Sequence, residues 1–74
     1  MESNMKLDEN LTDQIFDMAS FVLKTGSLNE FYLENRLRRD YFPKLSSSMI
    51  SIYLNHLAKM GFLRHESDTY SLAE

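Results

Sequence analysis

Hydrophobic side chains recur at helical spacing in three stretches of the chain. In the first stretch, Asn10 or Thr12 is the predicted N-cap, because either side chain can accept a hydrogen bond from an unpaired backbone N–H. Gly26 is expected to end this helix, and the polar residues 1–10 before it lack periodicity and are expected to form a flexible arm. The predicted buried side is Leu11, Ile15, Met18, Ala19, Val22 and Leu23.

The second stretch carries Leu33 and Leu37 one turn apart and predicts a helix that ends near Asp40. Segment 27–30 has a serine and a glutamate at capping-box spacing, which would start the helix there. The start is nevertheless left open, because residues 29–32 also suit a short strand between the first two helices.

The third stretch has the most regular pattern. Pro43 interrupts the chain before it, and three serines at 46–48 suit a helix N-cap. A helix is predicted over 46–60, with Gly61 at the position of a left-handed C-terminal cap. Its predicted buried side is Ile50, Tyr53, Leu54 and Leu57.

Two short strands are predicted beyond this helix. Residues 62–65 and 69–72 flank a polar turn at 66–68, and apolar positions alternate in the second strand. The sequence therefore predicts one mostly α domain over residues 11–74, with three helices and a C-terminal β-hairpin.

The other side of the third helix is short, polar and mostly uncharged. This arrangement resembles the recognition helix of the winged helix-turn-helix family, whose members often leave that helix through a Gly-apolar-apolar step into a wing, as residues 61–63 do here. The order of elements extends the resemblance over residues 11–73, and no subfamily is assigned. The resemblance implies a three-helix DNA-binding fold with a C-terminal wing.

Charge is distributed unevenly along the chain, although the formal net charge is only −3. Residues 1–34 hold seven acidic and two basic side chains, whereas residues 35–65 hold six basic and one acidic. The remainder, 66–74, adds three acidic side chains. This asymmetry predicts one acidic and one basic face, and a local basic patch matters more for phosphate binding than the total charge does.

Several classes of protein are disfavoured by composition. The 74 residues include no cysteine and two histidines, so disulfide scaffolds and cysteine-based zinc sites are excluded. No catalytic set of nucleophile, base and orienting acid is apparent, and we expect neither enzymatic activity nor a cofactor. No apolar run approaches the ~20 residues that span a bilayer, so a cytoplasmic or nucleoid-associated location is expected without a membrane partner.

The resemblance implies that helix 46–60 enters the major groove of double-stranded DNA, as in a small transcriptional regulator. Short polar side chains and one apolar side chain on this helix would contact base edges: Ser47, Ser48, Ser51, Ile52 and Asn55. Basic side chains around it would contact phosphates: Arg38, Arg39, Lys44, Lys59, Arg64 and His65.

Two alternatives stay open. The same fold could serve as a protein-interaction module without DNA binding, in which Met49, Ile52 and Phe31 form an adaptable apolar contact surface. A homodimer that pairs the first helix and the arm with a twin is compatible with either function.

Overall fold

The structure, a computed structural model, describes residues 7–73. These residues form three helices and a three-stranded antiparallel sheet, so the predicted class, mostly α with a C-terminal hairpin in winged helix-turn-helix order, is confirmed. The elements are α1 (Glu9–Leu23), β1 (Leu28–Asn29), α2 (Glu30–Asp40), α3 (Ser47–Lys59), β2 (Leu63–Glu66) and β3 (Thr69–Leu72). Among the described residues, no helix is both long and apolar enough to cross a membrane.

Helix α1 begins earlier than the sequence pattern predicted. Asp8 is the N-cap and accepts hydrogen bonds from the backbone N–H groups of Asn10 and Leu11, so the predicted caps Asn10 and Thr12 were wrong. Thr12 instead donates its hydroxyl to the Asp8 carbonyl at 2.8 Å. The last two residues of the predicted arm, Glu9–Asn10, are therefore helical, and residues 1–6 lie outside the described part of the chain.

Helix α2 follows a two-residue strand directly. Asn29 ends β1 and caps α2 by accepting from the N–H groups of Phe31 and Tyr32, so the capping box predicted at Ser27 was wrong. The expected strand between the first helices exists, but it is Leu28–Asn29 and not residues 29–32.

Helix α3 agrees with the prediction. Ser46 is the N-cap and accepts from the Met49 N–H at 3.1 Å. Gly61 follows the helix with a φ of 89°, which is the left-handed conformation predicted for it.

The core lies between the three helices and the sheet. All four predicted residues of α3 are buried, whereas Leu11 and Met18 of the predicted α1 stripe are only partly buried against the core. The buried hydrophobic residues are Ile15, Ala19, Val22, Leu23, Leu33, Leu37, Ile50, Tyr53, Leu54, Leu57, Leu63 and Tyr70.

The hairpin of β2 and β3 is joined to α2 through β1. Strand β3 lies in the middle of the sheet, paired with β1 on one side and β2 on the other. His65 is opposite Tyr70, and Leu28 pairs with Tyr70 from the other edge. The backbone N–H of Glu30, the first residue of α2, also donates to the Asp68 carbonyl in the hairpin turn at 2.7 Å. The hairpin of β2 and β3, which is the predicted wing, is thus held against the start of α2.

Candidate nucleic-acid interface

The exposed side of α3 is continuous and carries no acidic residue. Ser48, Ile52, Asn55 and Lys59 follow one another at helical spacing and all four are exposed. Ser47, in the first turn, is exposed as well. Four of the five side chains predicted to contact bases therefore lie together on an accessible surface.

Ser51, the fifth predicted base contact, lies apart from the other four. It is only partly exposed, and its hydroxyl lies near the carboxyl group of Glu34 on α2. Glu34 is 8% exposed, and burial raises its pKa above the ordinary value, although the Ser51 hydroxyl lowers it in part. Ser51 therefore lies on the side of α3 that is turned towards α2.

Three of the predicted phosphate contacts are exposed cations without a carboxylate partner in the described range. Arg38 lies near the end of α2, Lys44 lies in the turn before α3, and Lys59 is the last residue of α3. None of them forms a salt bridge within residues 7–73. Their charges are consequently available to an external anion.

Arg39 has a weak local partner. Its Nε lies 3.0 Å from a carboxylate oxygen of Asp40, whose other oxygen lies 3.5 Å from Nε of Arg36. The hydrogen bond from Arg39 lowers the pKa of Asp40 and in turn raises the pKa of the Arg39 guanidinium. Because exposed ion pairs of this kind contribute little stability, Arg39 can exchange Asp40 for a phosphate at small cost.

The two predicted phosphate contacts on the wing differ from each other. Arg64 is exposed, and its Nε lies 3.9 Å from a carboxylate oxygen of Glu66. His65 is half-buried, with its Nε2 2.8 Å from Oε1 of Glu30, and its ring stacks on that of Tyr70 at a centroid distance of 4.1 Å. Arg64 is thus accessible, whereas the imidazole of His65 fastens the wing to α2.

Tyr70 lies beneath this wing cluster. Its side chain is 1% exposed, and burial, together with the carboxylates of Glu30 and Glu34, raises its pKa to about 12. The phenol therefore stays neutral over the physiological pH range. Sequence reasoning missed the cluster, because its members come from α2 and both hairpin strands.

The start of α1 lies beside the exposed side of α3, which the sequence also did not indicate. The Asp8 N–H donates to the Tyr53 hydroxyl at 2.9 Å. A shallow recess of about 440 Å³ separates the two elements and is lined by Leu7, Ile52, Asn55, His56 and Lys59. The Asp8 carboxylate accepts hydrogen bonds from the N-terminus of α1, so part of its negative charge is offset by the helix dipole.

No cluster of three or more His, Cys, Asp or Glu side chains that could hold a metal ion occurs in residues 7–73. Comparisons with protein-family models, with curated proteins and with solved structures find no match to this chain.

Proposed function

We propose that this chain binds double-stranded DNA as a winged helix, with α3 in the major groove, and acts as a small regulator of transcription. The observation that supports this most is the exposed side of α3. It combines short uncharged side chains with cations on either flank that form no salt bridge within residues 7–73, and α3 has no carboxylate that would repel phosphates.

The side chains divide into two roles in this proposal. Asn55 is suited to an adenine edge, the hydroxyls of Ser47 and Ser48 fit several bases, and Ile52 can contact a thymine methyl group. Arg38, Arg39, Lys44, Lys59 and Arg64 would hold phosphates and set the position of α3. Ser51 and His65 would act indirectly, because their side chains hold α3 and the wing in place.

The test of phosphate binding is a salt series with random duplex DNA. Lys44→Gln is expected to weaken binding and to lower the log–log salt slope by about one unit, the effect of one lost phosphate contact. Lys24→Gln is the matched control, because Lys24 is also an exposed lysine but lies at the end of α1. Equal effects of the two substitutions would show that binding depends only on net charge.

Base recognition is tested by selecting preferred duplexes from a randomised pool. The double variant Ser48→Ala and Asn55→Ala should keep its affinity for random duplex and lose its preference for the selected site. Alanine is a better helix former than either residue, so the variant should remain folded, which circular dichroism would check. Unchanged preference would remove α3 from the recognition surface.

A second function is favoured by exposed apolar side chains on α3 and at the start of α2. Ile52 is 39% exposed, Met49 37% and Phe31 61%, and exposed hydrophobic side chains of this size are typical of protein contact sites when they are contiguous. In this alternative the domain is a protein-interaction module without DNA binding. Absence of duplex binding even at low salt, where phosphate attraction is strongest, would favour it.

A further inference from the structure

A groove between α1 and the end of α3 lies outside the surface assigned to DNA. It has a volume of about 710 Å³. Its apolar lining comes from both helices and from the residues beside them: Leu7, Phe16, Leu57, Met60 and Phe62. Two of these side chains are strongly exposed for their type, Met60 at 53% and Phe62 at 48%. The rings of Phe16 and Phe62 contact each other at a centroid distance of 5.5 Å, which gives the groove a firm aromatic wall.

The rim of the groove on the α1 side is acidic. Glu9 and Asp13 both line it, and they are one helical turn apart and exposed. Neither carboxylate forms a salt bridge with a cation in the described range, 7–73. An apolar floor beneath two adjacent unpaired carboxylates is complementary to a ligand with an apolar face and a cationic edge.

The chemistry of the groove favours one class of partner over the others. Carboxylates repel phosphates, so neither nucleic acid nor an anionic membrane surface suits this rim. The lining side chains belong to α1, α3 and the segments next to them, and no residue of β2 is among them. The backbone N–H and C=O groups of an extended partner segment would find no strand edge to hydrogen-bond in this groove. A helical partner does not need one, because its backbone groups are already hydrogen-bonded within the helix.

We propose that this groove binds a basic amphipathic helix of a partner protein. Leucine-type side chains at positions i, i+3 or i+4, and i+7 of that helix would enter the groove and pack against the wall formed by Phe16 and Phe62, and lysine or arginine at its edge would pair with Glu9 and Asp13. The flexible thioether of Met60 adapts the floor to the side chains that enter. This inference does not depend on DNA binding.

The probe is a synthetic leucine–lysine peptide of about 15 residues, roughly four helical turns. Its affinity is measured by fluorescence anisotropy with a label on the peptide, and its position by the Met60 methyl resonance of the full chain. We expect saturable binding with a shift of that resonance. The double variant Glu9→Gln and Asp13→Asn should weaken binding by roughly 2- to 30-fold, the effect of losing two ion pairs at the surface.

The matched control removes the same charge from another surface. Glu66 and Asp68 are exposed on the hairpin, and the double variant Glu66→Gln and Asp68→Asn should leave the affinity unchanged. Equal weakening by both double variants would overturn the proposal, because the peptide would then be responding to net charge alone. Met60→Gln should weaken binding without changing the circular dichroism spectrum.

Other occupants of the groove would also overturn the proposal. A nuclear Overhauser contact between Met5 and the ring of Phe16 or Phe62 in the free protein would identify the chain's own amino-terminal segment as the occupant. Intermolecular contacts to Met60 in a mixed-label sample would identify a second copy. Peptide binding that leaves the Met60 resonance unmoved would show that the peptide binds elsewhere.

Discussion

Gly61 shows at the scale of one residue how backbone conformation constrains the sequence. Its φ of 89° lies in the region that residues with a Cβ rarely adopt, yet an added Cβ would meet no heavy atom within 4 Å. Backbone strain and not steric overlap therefore opposes substitution. We expect Gly61→Val to lower the free energy of unfolding by about 1–2 kcal/mol and Gly61→Asn by less, since asparagine tolerates this conformation. Urea denaturation of both variants measures the difference, and equal losses would contradict the explanation.

Individual residues also show which features the sequence could predict and which it could not. The conformation of Gly61 was predictable, because a glycine directly after an amphipathic stripe marks a helix end. Ser51 and His65 were predicted to face outward, whereas the Ser51 hydroxyl lies near the Glu34 carboxyl group and Nε2 of His65 lies 2.8 Å from Oε1 of Glu30. Periodicity assigns a residue to a side of its own element. It does not reveal which polar group of another element lies opposite.

The three helices and the C-terminal hairpin were predicted in type and order because their apolar positions repeat regularly. The starts of the first two helices were not, because several residues near each start could serve as the N-cap. Asp8, Asn10 and Thr12 are all capping residues within one polar run, and nothing local ranks them. Asp8 is favoured by tertiary structure, because its N–H also reaches the Tyr53 hydroxyl. Asn29 likewise caps α2 at the point where pairing with Thr69 ends β1.

Helix α3 provides a test of packing at the scale of an element. Leu54 is fully buried, and Leu54→Ala is expected to reduce the free energy of unfolding by about 2–5 kcal/mol through lost burial and the remaining cavity. For a domain of this size each kcal/mol corresponds to roughly 4–8 °C in Tm. Thermal unfolding by circular dichroism measures the change. Ile52→Ala on the exposed side of the same helix is the control and should cost much less, and similar melting of Leu54→Ala and the wild type would contradict the packing described here.

At the scale of the whole molecule, polar side chains of α2 contact both α3 and the wing, which the pattern of apolar residues did not predict. Glu30 and Glu34 lie one turn apart on α2, where Glu30 pairs with His65 of the wing and Glu34 lies near Ser51 of α3. The orientation of the wing relative to α3 therefore depends on α2 as well as on the core. The proposed DNA-binding surface includes both α3 and the wing, so the contact between Glu30 and His65 contributes to its geometry.

Glu34 makes this connection dependent on pH. Burial raises its pKa above the ordinary value of 4.5 in the folded protein, and Glu30 adds to the effect, while Ser51 and His65 oppose it. A carboxyl group whose pKa is raised by folding contributes stability below the unfolded value, and that contribution is lost as the pH rises through the folded value. Glu34→Gln lacks this carboxyl group, so its free energy of unfolding does not lose that contribution as the pH rises.

The Tm of Glu34→Gln relative to that of the wild type should consequently be higher at pH 7 than at pH 4. Thermal unfolding at a series of pH values measures this difference, and the titration of other groups largely cancels between the two proteins. The control is Glu66→Gln, which removes one carboxyl group from an exposed position on the wing, and the rise is expected for Glu34→Gln alone. A difference for Glu34→Gln that is flat, or that grows towards pH 4, would mean that Ser51 and His65 stabilise the ionised carboxylate at least as much as burial destabilises it.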